Sequence, residues 1–391
     1  MRKFPRTVVI LGLVSLFTDL SSEMIYPLLP VFLSGVLGAT ALELGVIEGF
    51  AESTASLLKV ASGLWTDRIN KRKPIILLGY SLSSLFRPMM GLAQAWQGVF
   101  VLRLLDRIGK GLRSSPRDAL LADVTDPSQR GAAFGFHRAM DHAGAVMGPL
   151  AASALLLLPG MNLRNVFILA ALPGAAAVAF IIFGIQDSKT RSPAQSSPEK
   201  TFHPLRDWKL LGSDFRLFLV ALFLFTLGNS TDAFLLIRLS QGGISPSIIA
   251  ILWSAHHIVK MIATYHGGRF SDRRGRKTSI ILGWGFYALT YLAFAFVESP
   301  SLMVGIFLLY GLYFGFVEPS ERALVADLAP ASLRGTAFGY FYFVVGIAAL
   351  PASILFGYLW HTYGVSTAFL TGAILAMLAS LLLLMLPQRR E

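Results

Sequence analysis

The sequence contains no cysteine and is poor in charged residues. Without cysteine, neither a disulfide framework nor a thiolate metal site can form, and the redox compartment cannot be inferred. Charged residues make up 14% of the chain, against roughly 25% in soluble globular domains. A soluble globular domain is therefore a poor description of this composition, and a membrane protein is favoured.

Apolar residues account for 54% of the chain, and the mean hydropathy is +0.62. A helix needs about 20 apolar residues to cross the hydrocarbon core, and unpaired backbone groups in lipid leave almost no alternative to helices. We predict an all-α polytopic membrane protein with twelve transmembrane helices, the first of them retained rather than cleaved. The apolar segments are 7–36, 41–66, 74–95, 98–118, 131–158, 165–186, 215–238, 246–267, 278–298, 301–326, 335–361 and 365–387.

Positive charge is concentrated in alternate connections between these segments. The formal net charge is +12, and about 25 Lys and Arg fall on one side against two, Arg164 and Arg238, on the other. This asymmetry sets the orientation of short-looped membrane proteins, and it argues against nucleic-acid binding. We predict a multi-pass protein of the cell inner (plasma) membrane, bacterial in origin, with both termini cytoplasmic.

An internal repeat divides the chain into two halves. The stretch from Gly63 to Arg68 returns from Gly268 to Arg273 at an offset of 205, and Ala-Leu-Leu-Ala-Asp123 returns as Ala-Leu-Val-Ala-Asp327 at an offset of 204. Parallel repeats of this kind place the substrate near the midplane, between the halves. We predict an N-terminal six-helix bundle (1–186), a cytoplasmic linker (187–213) and a C-terminal six-helix bundle (214–391).

The repeated loop resembles the loop signature of the major facilitator superfamily. Both copies have Gly-x-x-x-Asp-Arg followed by further cations. The resemblance implies a twelve-helix transporter fold whose cytoplasmic gate is held by this loop, although topogenic charge alone would also explain the cations. The gate residues are Gly63, Asp67, Arg68, Gly268, Asp272 and Arg273.

Helices 4 and 5 resemble two further signatures of the superfamily. Helix 5 carries Gly135, Gly144, Gly148 and Pro149 at a spacing similar to the antiporter signature, which implies close helix packing and export; ordinary packing is the alternative. Arg107-x-x-x-Gly111 on helix 4 resembles the proton-coupling signature.

Ionisable residues inside the predicted helices mark a central path. A charge at the helix centre costs about 2.5–3.5 kcal/mol on insertion scales, so it normally faces a cavity or a partner. The candidates for proton coupling are Asp19, Glu23, Arg103, Asp106 and Arg107; static ion pairs are the alternative. The candidates for the substrate cavity are Tyr26, Glu48, Glu52, His137, Arg138, Asp141, Asp232, His256, Tyr310, Glu318 and Tyr340.

These features predict a proton-coupled antiporter that exports a small organic solute, such as a drug, metabolite or siderophore, by alternating access. A proton symporter that imports an organic anion or siderophore keeps the same fold, and a membrane sensor with a transporter-like fold is the non-transporter alternative. We find no motif for an enzyme, a metal site or a cofactor. The expected partners are a small molecule, protons and membrane lipid, and nothing in the sequence requires more than a monomer.

Overall fold

The computed structural model describes residues 4–68, 72–126, 129–185, 210–330 and 333–387. Within these ranges every regular element is helical, and the helices form twelve segments that we number in chain order. The twelve predicted helices are thus confirmed. Their bounds are α1 (Arg6–Gly35), α2 (Ala41–Arg68), α3 (Lys73–Leu92), α4 (Trp96–Asp123), α5 (Arg130–Leu156), α6 (Leu163–Gly184), α7 (Ser213–Gln241), α8 (Pro246–Arg274), α9 (Arg276–Phe296), α10 (Pro300–Leu328), α11 (Arg334–Tyr363) and α12 (Val365–Leu384).

Nine of the twelve, counted over the described ranges, are long and apolar enough to cross a membrane. The other three are α2, α4 and α5, whose sequences carry acidic and basic residues at helical spacing. Because lipid exposure of such stripes is costly, these helices must turn them toward the protein interior. The charge that lowers their hydropathy is therefore evidence for a central path.

Helices α1 and α7 are broken near the middle of the bundle. The break in α1 lies between Ile25 and Leu29, where Pro27 cannot donate a backbone hydrogen bond. The break in α7 lies between Gly228 and Ala233, whose backbone N–H donates to the Thr231 hydroxyl (3.3 Å). Side chains of this kind offer the backbone an alternative to the helix ladder. Both breaks place non-helical residues beside the central cavity.

The two halves repeat the same close helix contacts. A Cβ on Gly111 of α4 would lie 2.6 Å from the Leu58 side chain of α2, and one on Gly315 of α10 would overlap Ala263 of α8. Both pairs are related by the offsets found in the sequence. The two pseudo-symmetric six-helix bundles are thus visible in the packing, whereas the predicted boundaries at 186 and 214 stay a prediction because most of the linker lies outside the described residues.

The halves pack closely against each other toward one face of the bundle. We call the face where α6 ends and α7 begins the linker face, and the opposite one the far face. At the far face, the Leu29–Gly35 part of α1 packs on the Ala233–Gln241 part of α7. The start of α2 packs on the end of α11, where Gly45 lies directly against the Ser353 backbone. The central cavity lies on the linker side of these contacts.

Candidate functional site

A cavity of about 430 Å³ lies between the two halves. It reaches from the middle of the helices toward the linker face, and its size falls within the range of small-molecule sites. Its walls are mostly polar. The lining residues are Asp19, Ser22, Glu23, Tyr26, Glu52, Arg87, Arg103, Asp106, Arg107, Lys110, Arg113, Arg138, Asp141, His142, Ala145, Asp232, Trp253, His256, His257, Lys260 and Phe314.

The floor of the cavity is a buried network of ion pairs in the first half. Arg103 makes a bidentate pair with Glu48, with both N···O distances at 3.0 Å. Asp106 accepts from Arg87 at 2.9 Å and lies 3.7 Å from Arg103. Arg103 and Asp106 are only 3% and 2% exposed. Charges so deeply buried persist because each has an opposite partner with good geometry.

Three charged side chains on the wall have no direct partner. Asp19 on α1, Glu52 on α2 and Lys110 on α4 make no side-chain hydrogen bond and no ion pair within 4 Å among the described residues. Arg107 is nearly unpaired as well, because its Nε lies 4.0 Å from Asp106 Oδ2 and donates to no acceptor. These groups are available to a solute or a proton.

Glu23 connects the two halves across the cavity. Its carboxylate accepts a hydrogen bond from Trp253 Nε1 on α8 (2.8 Å) and lies 3.8 Å from His257 Nε2. The Trp253 ring also packs on Tyr26, with ring centroids 5.2 Å apart. Ser254 adds a hydrogen bond to the Val146 carbonyl of α5 (2.8 Å). This group of contacts closes the cavity toward the far face.

The glycines of α5 bring that helix against the acidic face of α1. A Cβ on Gly144 would lie 3.0 Å from the Cβ of Asp19, and one on Gly148 would lie 2.9 Å from the Cβ of Glu23. Gly135 differs, since a Cβ there would meet nothing within 4 Å. The close approach predicted for the motif is therefore seen at two of its three glycines.

The Asp141 carboxylate is held by residues of its own helix and by α1. Asp141 accepts from Ser15 and lies 3.5 Å from His137 Nδ1 and 3.4 Å from Arg138 Nη1. His137 is 3% exposed and points behind the cavity wall. Arg138 reaches the cavity itself.

The second half contributes aromatic rings and only a few charges. Tyr310 donates to Asp232 (2.8 Å), and Lys260 pairs with Glu318 (2.8 Å) while lying 3.8 Å above the Phe314 ring. His256 lies in a stack with Trp253, Phe307 and Tyr310. The cavity wall is therefore much more charged in the first half than in the second.

Most of the predicted site residues line the cavity, but five do not. These five are Glu48, His137, Tyr310, Glu318 and Tyr340. Four of them stand behind the wall as partners of residues that do line it, so their side chains position others; Tyr340 is absent from the lining.

Several residues that line the cavity are not among the site residues predicted from the sequence. Five are charged or titratable residues inside predicted helices, a signal that was present in the sequence: Lys110, Arg113, His142, His257 and Lys260. Arg87 carried the same signal, as an arginine within an apolar segment. Trp253 carried none, because a tryptophan in a membrane helix usually packs or faces lipid.

The predicted gate loop forms ion pairs at the linker face. Asp272 pairs with Arg276, whose Nε lies 3.5 Å from Asp327 at the end of α10. In the first half Arg72 pairs with Asp123, at positions related to Arg276 and Asp327 by the offset of 204. The Arg276–Asp327 contact ties the start of α9 to the end of α10, and the Arg72–Asp123 pair ties the start of α3 to the end of α4.

The named gate residues take different places in this arrangement. Arg273 is exposed and has no ion pair within the described ranges, so Arg276 makes the contact instead. The Gly268 backbone lies near Pro319. Gly63, Asp67 and Arg68 belong to α2, but their side-chain environment lies outside the described residues.

Comparison with known proteins identifies the family. A model of the Major Facilitator Superfamily matches residues 11–242 and 233–391. The chain is 33% identical to an uncharacterized MFS-type transporter of Methanocaldococcus jannaschii, over 98% of this chain and 95% of that protein. It is 26% identical to the multidrug resistance protein MdtH of Sodalis glossinidius, over 81% of this chain and 76% of that protein.

A solved structure shows the same fold at lower identity. The crystal structure of the nucleoside transporter NupG matches with a TM-score of 0.81 and 16% identity, covering 97% of this chain and 98% of that one. The chain therefore belongs to the Major Facilitator Superfamily and is a multi-pass membrane transporter for a small molecule.

Proposed function

We propose that the protein is a proton-coupled antiporter that exports a small organic solute by alternating access. It acts as a monomer in the lipid of the inner (plasma) membrane, with both termini and the linker face in the cytoplasm. The observation that carries the proposal is the Asp19 carboxylate, which lines the cavity without a direct partner. A carboxylate in this position can hold either a proton or a cationic group of the solute.

The surroundings of Asp19 support this exchange. The charged groups that act on it are Asp141, Glu23, Lys110 and Arg113, from α5, α1 and α4. Opposite charges favour ionisation of a carboxylate and like charges oppose it, so a solute that pairs with any of these neighbours changes how readily Asp19 takes up a proton. The multidrug resistance relatives and the glycine contacts of α5 with α1 agree with export.

Proton movement in proteoliposomes tests the proposal. Solutes are first ranked by thermal stabilisation of the purified protein, since a ligand stabilises in proportion to its binding. The strongest is then added outside liposomes loaded with a pH-sensitive dye. An antiporter sends protons out of the lumen as the solute enters.

The Asp19→Asn variant should lose the coupled proton flux, and Glu23→Gln should also lose proton-driven transport. Glu298→Gln removes an exposed carboxylate from the connection between α9 and α10 and serves as the matched control. Unchanged proton flux in both cavity variants contradicts the assignment of the proton site.

A proton symporter for an organic anion is the second candidate. The observation that favours it is the pair of available cations on α4, Arg107 and Lys110. The same dye experiment separates the two candidates, because a symporter draws protons into the lumen together with the solute. Inward proton flux with an anionic solute would replace the antiport proposal.

A further inference from the structure

We propose that the transported solute is an aromatic zwitterion, whose anionic group binds Arg107 and Lys110, whose cationic group binds Asp19 and Glu52, and whose ring packs on Trp253 and Phe314. This inference rests on the proposed function, since it takes the cavity to be the transport site. It also explains how a basic α4 can belong to an antiporter. The anionic group of the solute holds it on α4, and its cationic group competes with the proton for Asp19.

The anionic group meets two cations of α4 that still have donors to offer. Arg107 and Lys110 are one turn apart on the same face of α4. Arg103, one turn earlier, is already saturated by its bidentate pair with Glu48. A guanidinium next to an ammonium binds a carboxylate by charge-assisted hydrogen bonds, and the planar fork of arginine fixes its orientation.

The cationic group meets two carboxylates from other helices. Asp19 on α1 and Glu52 on α2 both line the cavity. Neither is within 4 Å of the nitrogens of Arg107 or Lys110 among the described side chains, so these opposite charges line the same cavity without closing into pairs. Opposite charges left unpaired in this way match a solute that carries both signs.

The ring meets an aromatic surface on the second half. Trp253 is fixed by its hydrogen bond to Glu23 and by its packing on Tyr26. Phe314 lies under the Lys260 ammonium and against Tyr310, with ring centroids 5.3 Å apart. Trp253 is only 4% exposed, so the half-buried Phe314 ring supplies most of the aromatic area that a solute can contact. A solute that fills the site therefore touches both halves.

Four small molecules that differ in their charged groups or in the aromatic ring test the inference. Tryptophan carries both charges, indole-3-propionate only the negative one and tryptamine only the positive one, while norleucine is a zwitterion without an aromatic ring. Each is added at equal millimolar concentration to the purified full-length protein, and thermal unfolding reports binding. We expect tryptophan to bind about tenfold tighter than each of the other three.

Variants assign each charge to its site. Lys110→Gln should weaken tryptophan and indole-3-propionate but leave tryptamine unchanged, and Asp19→Asn should weaken tryptophan and tryptamine but leave indole-3-propionate unchanged. Phe314→Leu should remove the preference over norleucine, and Phe314→Tyr should keep it. Glu298→Gln, outside the cavity, should change nothing. Variants are compared only when they elute as a single species, and the Phe314 pair provides a test that alters no charge.

Several outcomes overturn the inference. Equal binding of norleucine contradicts the aromatic part, equal binding of either single-charge analogue contradicts the zwitterion, and no stabilisation by any compound contradicts both. The binding assay needs no gradient, so it fails separately from the proposed function. The expected binding pattern without proton flux would refute antiport alone, whereas Asp19-dependent proton flux driven only by other solutes would refute the aromatic zwitterion alone.

Discussion

At the scale of single residues, the buried ion pairs below the cavity stabilise the fold and hold the side chains of the cavity floor in one geometry. Arg87, Arg103 and Asp106 share one network, and each is almost fully buried. Removing one partner leaves a buried charge without compensation, whereas replacing a whole pair by apolar groups of similar volume is often neutral. The network should therefore respond very differently to single and paired substitutions.

The Asp106→Asn variant should lower the free energy of unfolding by about 3–5 kcal/mol, because it leaves the Arg87 guanidinium buried without its carboxylate. Chemical or thermal unfolding in detergent measures the loss. The double variant Arg87→Met with Asp106→Leu should recover most of it. If the single variant is as stable as the double variant, the pair contributes nothing measurable.

At the scale of elements, the packing of α5 on α1 determines where the candidate proton site lies. Gly144 and Gly148 are the points of contact, and the Cβ atoms of Asp19 and Glu23 lie directly opposite. Adding bulk there must push the two helices apart, because their backbones have no other way to make room. The same change at Gly135 meets open space.

Gly148→Val should destabilise the protein by about 1–3 kcal/mol through overpacking and should also reduce transport, since it displaces Glu23. Gly135→Ala serves as the control and should stabilise the protein by about 0.5–1 kcal/mol, because alanine favours the helix. Unfolding in detergent and solute flux in liposomes measure the two effects. An equal loss of stability at both positions would refute the packing role of the motif.

At the scale of the whole molecule, the hydrogen bond from Trp253 to Glu23 holds the halves together on the far-face side of the cavity. In the proposed alternating-access cycle, opening to the far face must break it. A hydrogen bond to a charged group contributes about 1.5–3 kcal/mol, so this contact alone can shift the balance between the two open states considerably. Its removal should favour the far-open state.

Trp253→Phe keeps the ring but loses the donor, and it should raise the population open to the far face roughly 10- to 100-fold. The reporter is Ser353→Cys, because Ser353 is buried where α2 meets α11 and the chain has no other cysteine. The rate of maleimide labelling measures the opening. Ser254→Ala, which removes a neutral bond between the halves, should have a smaller effect. Equal labelling with and without Trp253→Phe would contradict the locking role.

The sequence predicts the fold much better than the site. The twelve helices and their repeat can be predicted because hydropathy and a fixed offset are read directly along the chain, without knowledge of how the helices pack. The pairing of Glu48 with Arg103, 55 positions apart, depends on how α2 and α4 pack, and no spacing rule gives it. Glu48 and His137 were predicted to line the cavity, but the structure turns both toward partners behind the wall. Arg87 was missed because one charge does not prevent an apolar segment from being read as a span.

The repeat relates the inner faces of α4 and α10 residue by residue. By the offset of 204, Arg103, Asp106 and Lys110 correspond to Phe307, Tyr310 and Phe314, while Gly111 and Gly315 keep the same contact with their neighbours. The repeated pair of helices thus carries two unlike inner faces on the same scaffold. Selectivity in such a protein can evolve through a few inward positions, because the glycines that hold the helices together are not the residues that meet the cargo.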